Sequence, residues 1–274
     1  MEKIDRLGWA AGFVFTSYGV RIGVRTNRPE ILPQLRDLLP PEVRFSGSPI
    51  VDRVYSLLIG GLGPRPNLRR FNLLYGDLER LARTMDQEEV LERFESNLQL
   101  YLAETARNRV FLHAGVVGWK GQAIVIPGRS FTGKTTLVAE LMRAGAKYYS
   151  DEYAVLDIRG RVHPFPKPLG IRQDETARQV RYTVDALGGD AGIKPLPVGL
   201  VIISEYKNGA RWRPRRLSPG RGVLALLTNA IPARRQPEAT FSTLRQVIAT
   251  AKVLKGVRGE AVETVASIIE SIDG

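Results

Sequence analysis

The sequence predicts an α/β fold built on a mixed β-sheet, with a smaller α+β region ahead of it. Three observations carry this. The first is the octet Gly128-Arg129-Ser130-Phe131-Thr132-Gly133-Lys134-Thr135, which fits G-x-x-x-x-G-K-[ST]. The second is its setting: the apolar run 122–127 reads as a strand, and 136–144 reads as a helix ended by Gly145. Strand, glycine loop and helix in that order are the context of a phosphate-binding loop. The third is residues 110–119, a further strand joined to 122–127 by the turn Lys120-Gly121. A turn that tight makes the two strands antiparallel, so the sheet is mixed rather than all-parallel.

Taken in order, residues 1–106 form the expected N-terminal α+β domain and 107–274 the phosphate-loop domain. Residues 12–25 read as two strands with a turn near Ser17 to Gly19. Residues 29–39 read as a helix closed by Pro40-Pro41. Residues 51–59 and 69–75 read as strands, separated by a glycine- and proline-rich loop and followed by a turn at Tyr75-Gly76-Asp77. In 88–106, Val90, Leu91, Phe94, Leu98, Tyr101 and Leu102 recur at helical spacing. Beyond the loop helix, Lys147-Tyr148-Tyr149-Ser150-Asp151-Glu152 and 153–156 are extended, with Tyr148 and Tyr149 as packing residues. Residues 200–204 read as a buried strand with 211–217 as its hairpin partner around Lys207-Asn208-Gly209. Ser218 is placed to cap a helix reaching about Thr228. A helix over 237–249, a strand over 251–256 and a helix over 260–272 close the chain.

Composition narrows the chemistry. At 43% hydrophobic and 25% charged residues, the 274-residue chain has the make-up of a soluble globular protein. It has no cysteine, so disulfides, thiolate metal sites and cysteine nucleophiles are excluded. Two histidines, His113 and His163, do not make a multi-histidine metal site. No apolar run is long enough for a membrane span, and residues 1–9 do not read as a signal peptide, so a cytoplasmic setting is expected. The net charge of +12 raises the question of an anionic partner. No helix-turn-helix, zinc finger or aromatic-basic repeat accompanies it, which speaks against nucleic acid. The one dense run, Arg211-Trp212-Arg213-Pro214-Arg215-Arg216, reads as a solvated strand edge.

Each residue type in the octet has a physical task. Gly128 and Gly133 let the backbone curl with its N–H groups inward around an anion. Arg129, Ser130, Phe131 and Thr132 supply the rest of that cradle, and Thr136 continues it into the helix. The helix start adds its dipole. Lys134 is a point charge for β and γ phosphates, and the Thr135 hydroxyl is placed to ligate Mg²⁺.

The run from Phe111 to Leu156 resembles the catalytic domain of HPr kinase/phosphorylase and its kinase-like relatives. The features that carry this are His113-Ala114-Gly115 on the strand before the loop, the octet itself, Arg143-Ala144-Gly145 ending the helix, and the acidic pair Asp151-Glu152. The specific match covers about 45 residues. The resemblance implies an Mg-ATP-dependent kinase acting on a serine hydroxyl of a protein or peptide. It implies that Asp151 takes the hydroxyl proton, that Glu152 with Thr135 holds Mg²⁺, and that His113 and Lys134 lie at the transferring phosphate. Relatives form hexamers, so the resemblance allows a homo-oligomer; the unmatched N-terminal third keeps that from being carried over. This chain has Asp-Glu where the family more often has Asp-Asp, and Pro166-Lys167-Pro168-Leu169-Gly170-Ile171-Arg172 lacks the glycine-rich signature of the bifunctional enzymes. The longer Glu152 side chain can still reach the metal, whereas the missing signature weighs against the phosphorylase reaction and against HPr as the acceptor.

From the residues alone, plainer readings stand beside these. A histidine on a strand is commonly a hydrogen-bonded core residue. Adjacent carboxylates on a strand point to opposite sides, so a shared task for Asp151 and Glu152 needs a bend. Arg172 reads equally as a phosphate clamp or a structural arginine, and Glu205 is a further metal candidate. A non-catalytic ATP-binding regulator and a small-molecule kinase are the alternatives to a protein or peptide kinase.

Overall fold

The computed structural model describes residues 5, 7–62, 69–128, 132–172 and 179–273. The chain divides into two compact units, Met1–Asn108 and Arg109–Gly274. Together they hold two mixed sheets and, among the described residues, six α-helices.

In unit 1, β1 (Ala11–Ser17) and β2 (Val20–Thr26) form an antiparallel hairpin. Its two-residue turn, Tyr18-Gly19, has positive φ at both positions (49° and 79°), the twist that suits flanking strands. The first helical stretch is shorter than the sequence suggests: a 3-10 turn, Pro29–Ile31, leads into α1 (Leu32–Asp37). The sheet is completed by β3 (Arg44–Ser46), β4 (Arg53–Leu58), β7 (Asn72–Gly76) and β8 (Glu79–Thr84), in the order β3-β1-β2-β4-β7-β8. Between β4 and β7, β5 (Gly61–Leu62) and β6 (Arg69–Arg70) pair as a ribbon. Strands β3 and β8 escape a pattern reading because both are polar edge strands; all three residues of β3 are exposed. Helix α2 (Gln87–Thr105) starts at Asp86, whose carboxylate accepts from the Glu88 N–H at 2.8 Å. Its apolar stripe, Val90, Phe94, Leu98 and Leu102, packs on Phe15, Tyr55, Leu57 and Leu74 of the sheet.

Unit 2 is built on an eight-stranded sheet. Strand β9 (Arg109–Trp119) is its longest member, with β16 below, and runs antiparallel to β10 (Gln122–Pro127) as the tight turn requires. Helix α3 (Lys134–Arg143) follows the loop. Then come β11 (Lys147–Ser150), β12 (Tyr153–Asp157) and β13 (Arg161–His163), while β14 (Leu169–Arg172) and β15 (Gln179–Tyr182) form a separate ribbon. Strand β16 (Leu196–Tyr206), β17 (Arg215–Arg216), α4 (Pro219–Leu227), α5 (Pro237–Thr250), β18 (Lys252–Arg258) and α6 (Ala261–Asp273) complete the unit. Strands β10, β16 and β18 are parallel neighbours, so their C-terminal ends share one edge of the sheet. Helices α4 and α5 cover one face, with Val223, Leu226, Leu244 and Val247 against Val201 and Val253. Helices α3 and α6 cover the other, with Leu137, Leu141 and Ile268 against Ile124, Leu200 and Ile202.

One pairing corrects the sequence reading. Residues 211–217 do not form a hairpin with 200–204. Strand β18 lies between them, parallel to β16 and antiparallel to β17. The turn at Lys207 does close, with the Ala210 N–H donating to the Lys207 carbonyl at 3.0 Å, but the chain then passes to the outer side of β18. The apolar middle of β16 needs a buried neighbour on each side, and the arginine-rich segment cannot be one. Ser218 stands at the start of α4 but makes no side-chain cap hydrogen bond. Among the described residues no helix is long and apolar enough to cross a membrane.

Candidate active site

The site grows from the end of β10. Its buried run Ala123-Ile124-Val125-Ile126 fixes the strand between β9 and β16, and Pro127 ends it. The Gly128 N–H donates to the His113 carbonyl at 3.1 Å, which pins the loop's first residue to β9. A Cβ at residue 128 would come within 2.8 Å of Thr132 Oγ1 and 3.6 Å of Lys134 Cδ, so the chain folds back over this glycine. Arg129, Ser130 and Phe131 lie outside the described residues. Gly133 takes the left-handed conformation (φ 76°) and heads α3, whose first turn carries no acidic residue. The leading N–H groups of a helix lack intrahelical acceptors, so this end favours an anion.

Lys134 opens α3 and is 7% exposed. Burial holds its ammonium down to about 8, against the opposing pull of Asp151 and Glu152. Thr135 Oγ1 donates to Asp151 Oδ2 at 3.3 Å. Thr136 is exposed on the helix surface. Close approach of α3 to β9 is permitted by Gly115, where a Cβ would lie 2.7 Å from Val138 Cγ2 and 3.8 Å from Lys134 Cβ.

Between β11 and β12 the chain bends, and Ser150 Oγ accepts from the N–H groups of Glu152 (3.2 Å) and Tyr153 (3.0 Å). This supplies the bend that two adjacent carboxylates need to share a task, and both act electrostatically on Lys134. The Tyr148 hydroxyl lies 3.1 Å from Asp151 Oδ1 and 2.8 Å from the Lys167 carbonyl, two acceptors that share its one proton. Tyr148 is therefore more than a packing residue, although its place on β11 gives no hint of this. Burial raises the Asp151 carboxyl above its ordinary range, while hydrogen bonds from Tyr148 and Thr135 pull the other way.

His113 pairs with Tyr153 across β9 and β12, with ring centroids 6.2 Å apart. Burial, helped by the Lys134 charge, lowers its imidazole to about 4, so it is neutral at pH 7. His113, Lys134, Thr135, Asp151 and Glu152 thus come together at one end of the sheet. Glu205, by contrast, is exposed near the end of β16, and His163 binds Asp157 at 3.0 Å beside Arg161. Arg172 is the last residue of β14.

A second residue of this region escaped the sequence reading. Arg258, the last residue of β18, is 2% exposed. Its Nη2 donates to the Gly133 carbonyl at 3.0 Å and its Nη1 to the Gly259 carbonyl at 2.9 Å, while Nε finds no acceptor among the described residues. A single arginine at a strand end carries no motif, so only the fold brings it to the loop. A cavity of about 790 Å³ lined by Trp119, Lys147, Tyr149 and Ile193 lies at the opposite end of β10 and contains none of these residues.

No family model and no curated protein matches the sequence. Among solved structures, the HPr(Ser) kinase/phosphatase from Coxiella burnetii is similar over 60% of this chain and 99% of its own, at 14% identity and a TM-score of 0.31. A likeness that slight fixes neither fold nor activity, and the reading below rests on the chain's own residues.

Proposed function

We propose that unit 2 is an Mg-ATP-dependent kinase that transfers the γ-phosphoryl group to a serine hydroxyl of a protein or peptide. The observation that carries this is the contact between Thr135 and Asp151, which brings a carboxylate bend to the first turn of the helix behind the glycine loop. A loop that only held a phosphate would need the glycines, Lys134 and the helix start. It would not need a half-buried acid whose carboxyl is raised and which touches the hydroxyl beside the lysine.

In this reading the α3 N-terminus and Lys134 hold the phosphates. A hydroxyl with two carboxylates nearby suits Mg²⁺, which takes one or two carboxylates and completes its shell with phosphate oxygens and water. Thr135 with Glu152 or Asp151 would hold it, and it would neutralise phosphate charge. Neutral His113 keeps an N–H available for a phosphate oxygen. The serine Oγ forms its bond to the γ phosphorus, the bond to the bridging oxygen breaks, and ADP leaves. The serine proton passes to Asp151, whose raised carboxyl is nearer to neutrality than an ordinary aspartate. The same Thr135 contact favours a second assignment, in which Asp151 sits on the metal side and Glu152 takes the proton.

The experiment is transfer of labelled γ-phosphate from ATP in cell extract. Label on a polypeptide serine supports the proposal. Label on metabolites alone makes the protein a small-molecule kinase, and no label with intact ATP binding makes it a regulator.

A further inference from the structure

Nearly all of the chain's excess positive charge falls in unit 2, and part of it is gathered on the edge formed by 211–216 and β18. This segment is not a loose tail. A Cβ on Gly256 would meet Pro214 Cα at 3.0 Å and the Trp212 ring at 3.1 Å, and Trp212 packs on the α3/α6 side of the core. Anchored in this way, Arg211, Arg213, Arg215 and Arg216 are all exposed.

Arg215 stands directly opposite Lys255 on β18, which is also exposed. Like charges directly opposite each other across two strands are destabilising. The neighbouring acid on the β16 side, Glu205, is in register with Val257 and forms no ion pair with Lys255 among the described residues. None of these five cations pairs with a carboxylate among the described residues. Charges anywhere along a strand edge guard it against aggregation, so that role does not require the repulsion of a facing like-charged pair. From Lys255 the strand runs three residues, about 10 Å, to its C-terminal end, on the same edge of the sheet as the end of β10 from which the glycine loop springs.

We propose that this edge docks an acidic segment of a polypeptide, holding its carboxylates against Arg213, Arg215 and Lys255 and leading it toward the phosphate loop. As a docking site for the phosphate acceptor it rests on the kinase reading; as a binding surface it does not. Exposed cations at 211, 213, 215 and 216, with Lys255 directly opposite Arg215, offer an extended acidic segment several partners along one edge. The one aromatic residue in the run, Trp212, is turned into the core, so the stacking platform that single-stranded nucleic acid needs is absent from this segment.

The test uses the full-length protein and a fluorescent peptide with glutamate at every second position around one serine. Controls are the same peptide with lysine for glutamate and a single-stranded oligonucleotide of equal length. Anisotropy at low salt is expected to show binding of the acidic peptide alone, weakened at least tenfold by Arg215→Glu with Lys255→Glu and progressively by added salt. The double variant is expected to keep the ATP-induced rise in melting temperature, which shows that it is folded. Equal binding by the variant, failure of the acidic peptide to bind, or tighter binding of the oligonucleotide would overturn the proposal. Phosphate transfer to the serine is scored separately: a peptide that binds but takes no label leaves the docking surface standing and counts against the kinase reading.

Discussion

Thr135 Oγ1 donates to Asp151 Oδ2 over 3.3 Å, joining the first turn of α3 to the bend after β11. In the proposed kinase the two ends of this contact would serve different parts of phosphoryl transfer, one the phosphates and metal, the other the nucleophile. Substitution can separate them. Asp151→Asn keeps the size of the side chain and one of its two acceptor oxygens but removes the charge. Loss of a proton acceptor is expected to lower transfer by about 10²–10⁴-fold while ATP still binds. If Asp151 instead serves the metal, the same variant will need more Mg²⁺ for half-maximal rate, and Glu152→Gln will show the large loss at saturating Mg²⁺. Because burial raises the Asp151 carboxyl, its ionised form is a cost to the fold at neutral pH. The Asn variant should therefore melt at or above the wild-type temperature.

Lys134 gives the direct test of nucleotide binding. ATP at 100 times its dissociation constant should stabilise the protein by about 2.7 kcal/mol. Lys134→Ala should lose most of that shift. Since the ammonium is buried and held down to about 8, removing it should not lower the ligand-free melting temperature at pH 7. Calorimetry with and without Mg-ATP measures both quantities.

The pH dependence follows from two depressed bases. Lys134 has a folded pKa of about 8 against 10.5 in an open chain. Between those values the unfolded chain binds the extra proton, so unfolding free energy should rise with pH from about 8 upward. ATP binding should fall over the same range, because the lysine loses its charge. His113, at about 4 against 6.5, works the same way at acid pH. The unfolded chain takes a proton that the folded one refuses, so stability should fall as pH drops from 6.5 toward 4. Denaturation series on the wild type and on His113→Gln should differ in slope within that window and agree above pH 7.

The elements that could be read from the sequence are those with strong local signals. The octet, the apolar run before it and the turn at Lys120-Gly121 announce β9, β10 and α3, and the helical period announces α2. What escaped depends on distant neighbours. Strand β8 is polar along most of its length and exists because β7 offers it an edge. A hairpin over 200–217 is a local inference, and β18, which begins only at Lys252, displaces it. At the site, His113, Lys134, Thr135, Asp151 and Glu152 could be named from motif and resemblance, while Tyr148 and Arg258 gain their contacts only from the packing of β11 and β18.

Gly115 tests how closely α3 must approach β9. A methyl group there would press Val138 Cγ2 to 2.7 Å and lie 3.8 Å from Lys134 Cβ. Overpacking of this kind costs about 1–3 kcal/mol. Gly115→Ala should therefore destabilise the protein, and by shifting the first turn of α3 it should weaken ATP binding beyond what stability explains. Gly121→Ala serves as a control: that glycine has positive φ (82°), but a Cβ there would meet nothing within 4 Å. It should cost stability without changing the affinity for ATP.

Arg258 separates service to the fold from service to the loop. In a planar trans peptide the N–H points opposite to the carbonyl. By holding the Gly133 carbonyl at 3.0 Å, Arg258 fixes the direction of the Lys134 N–H, which faces the other way, toward the end of the helix where an anion would sit. The same guanidinium is buried with Nε unpaired among the described residues, and burial lowers its pKa, so it costs the ligand-free protein stability. A flexible apolar side chain of similar length removes that cost. Arg258→Met should melt at or above the wild-type temperature without ligand yet show a smaller rise with Mg-ATP. Arg258→Lys, which keeps a donor and a charge, should recover part of the rise. If the Met variant is less stable without ligand and its ATP-induced rise is unchanged, the arginine holds β18 together and does nothing for the loop.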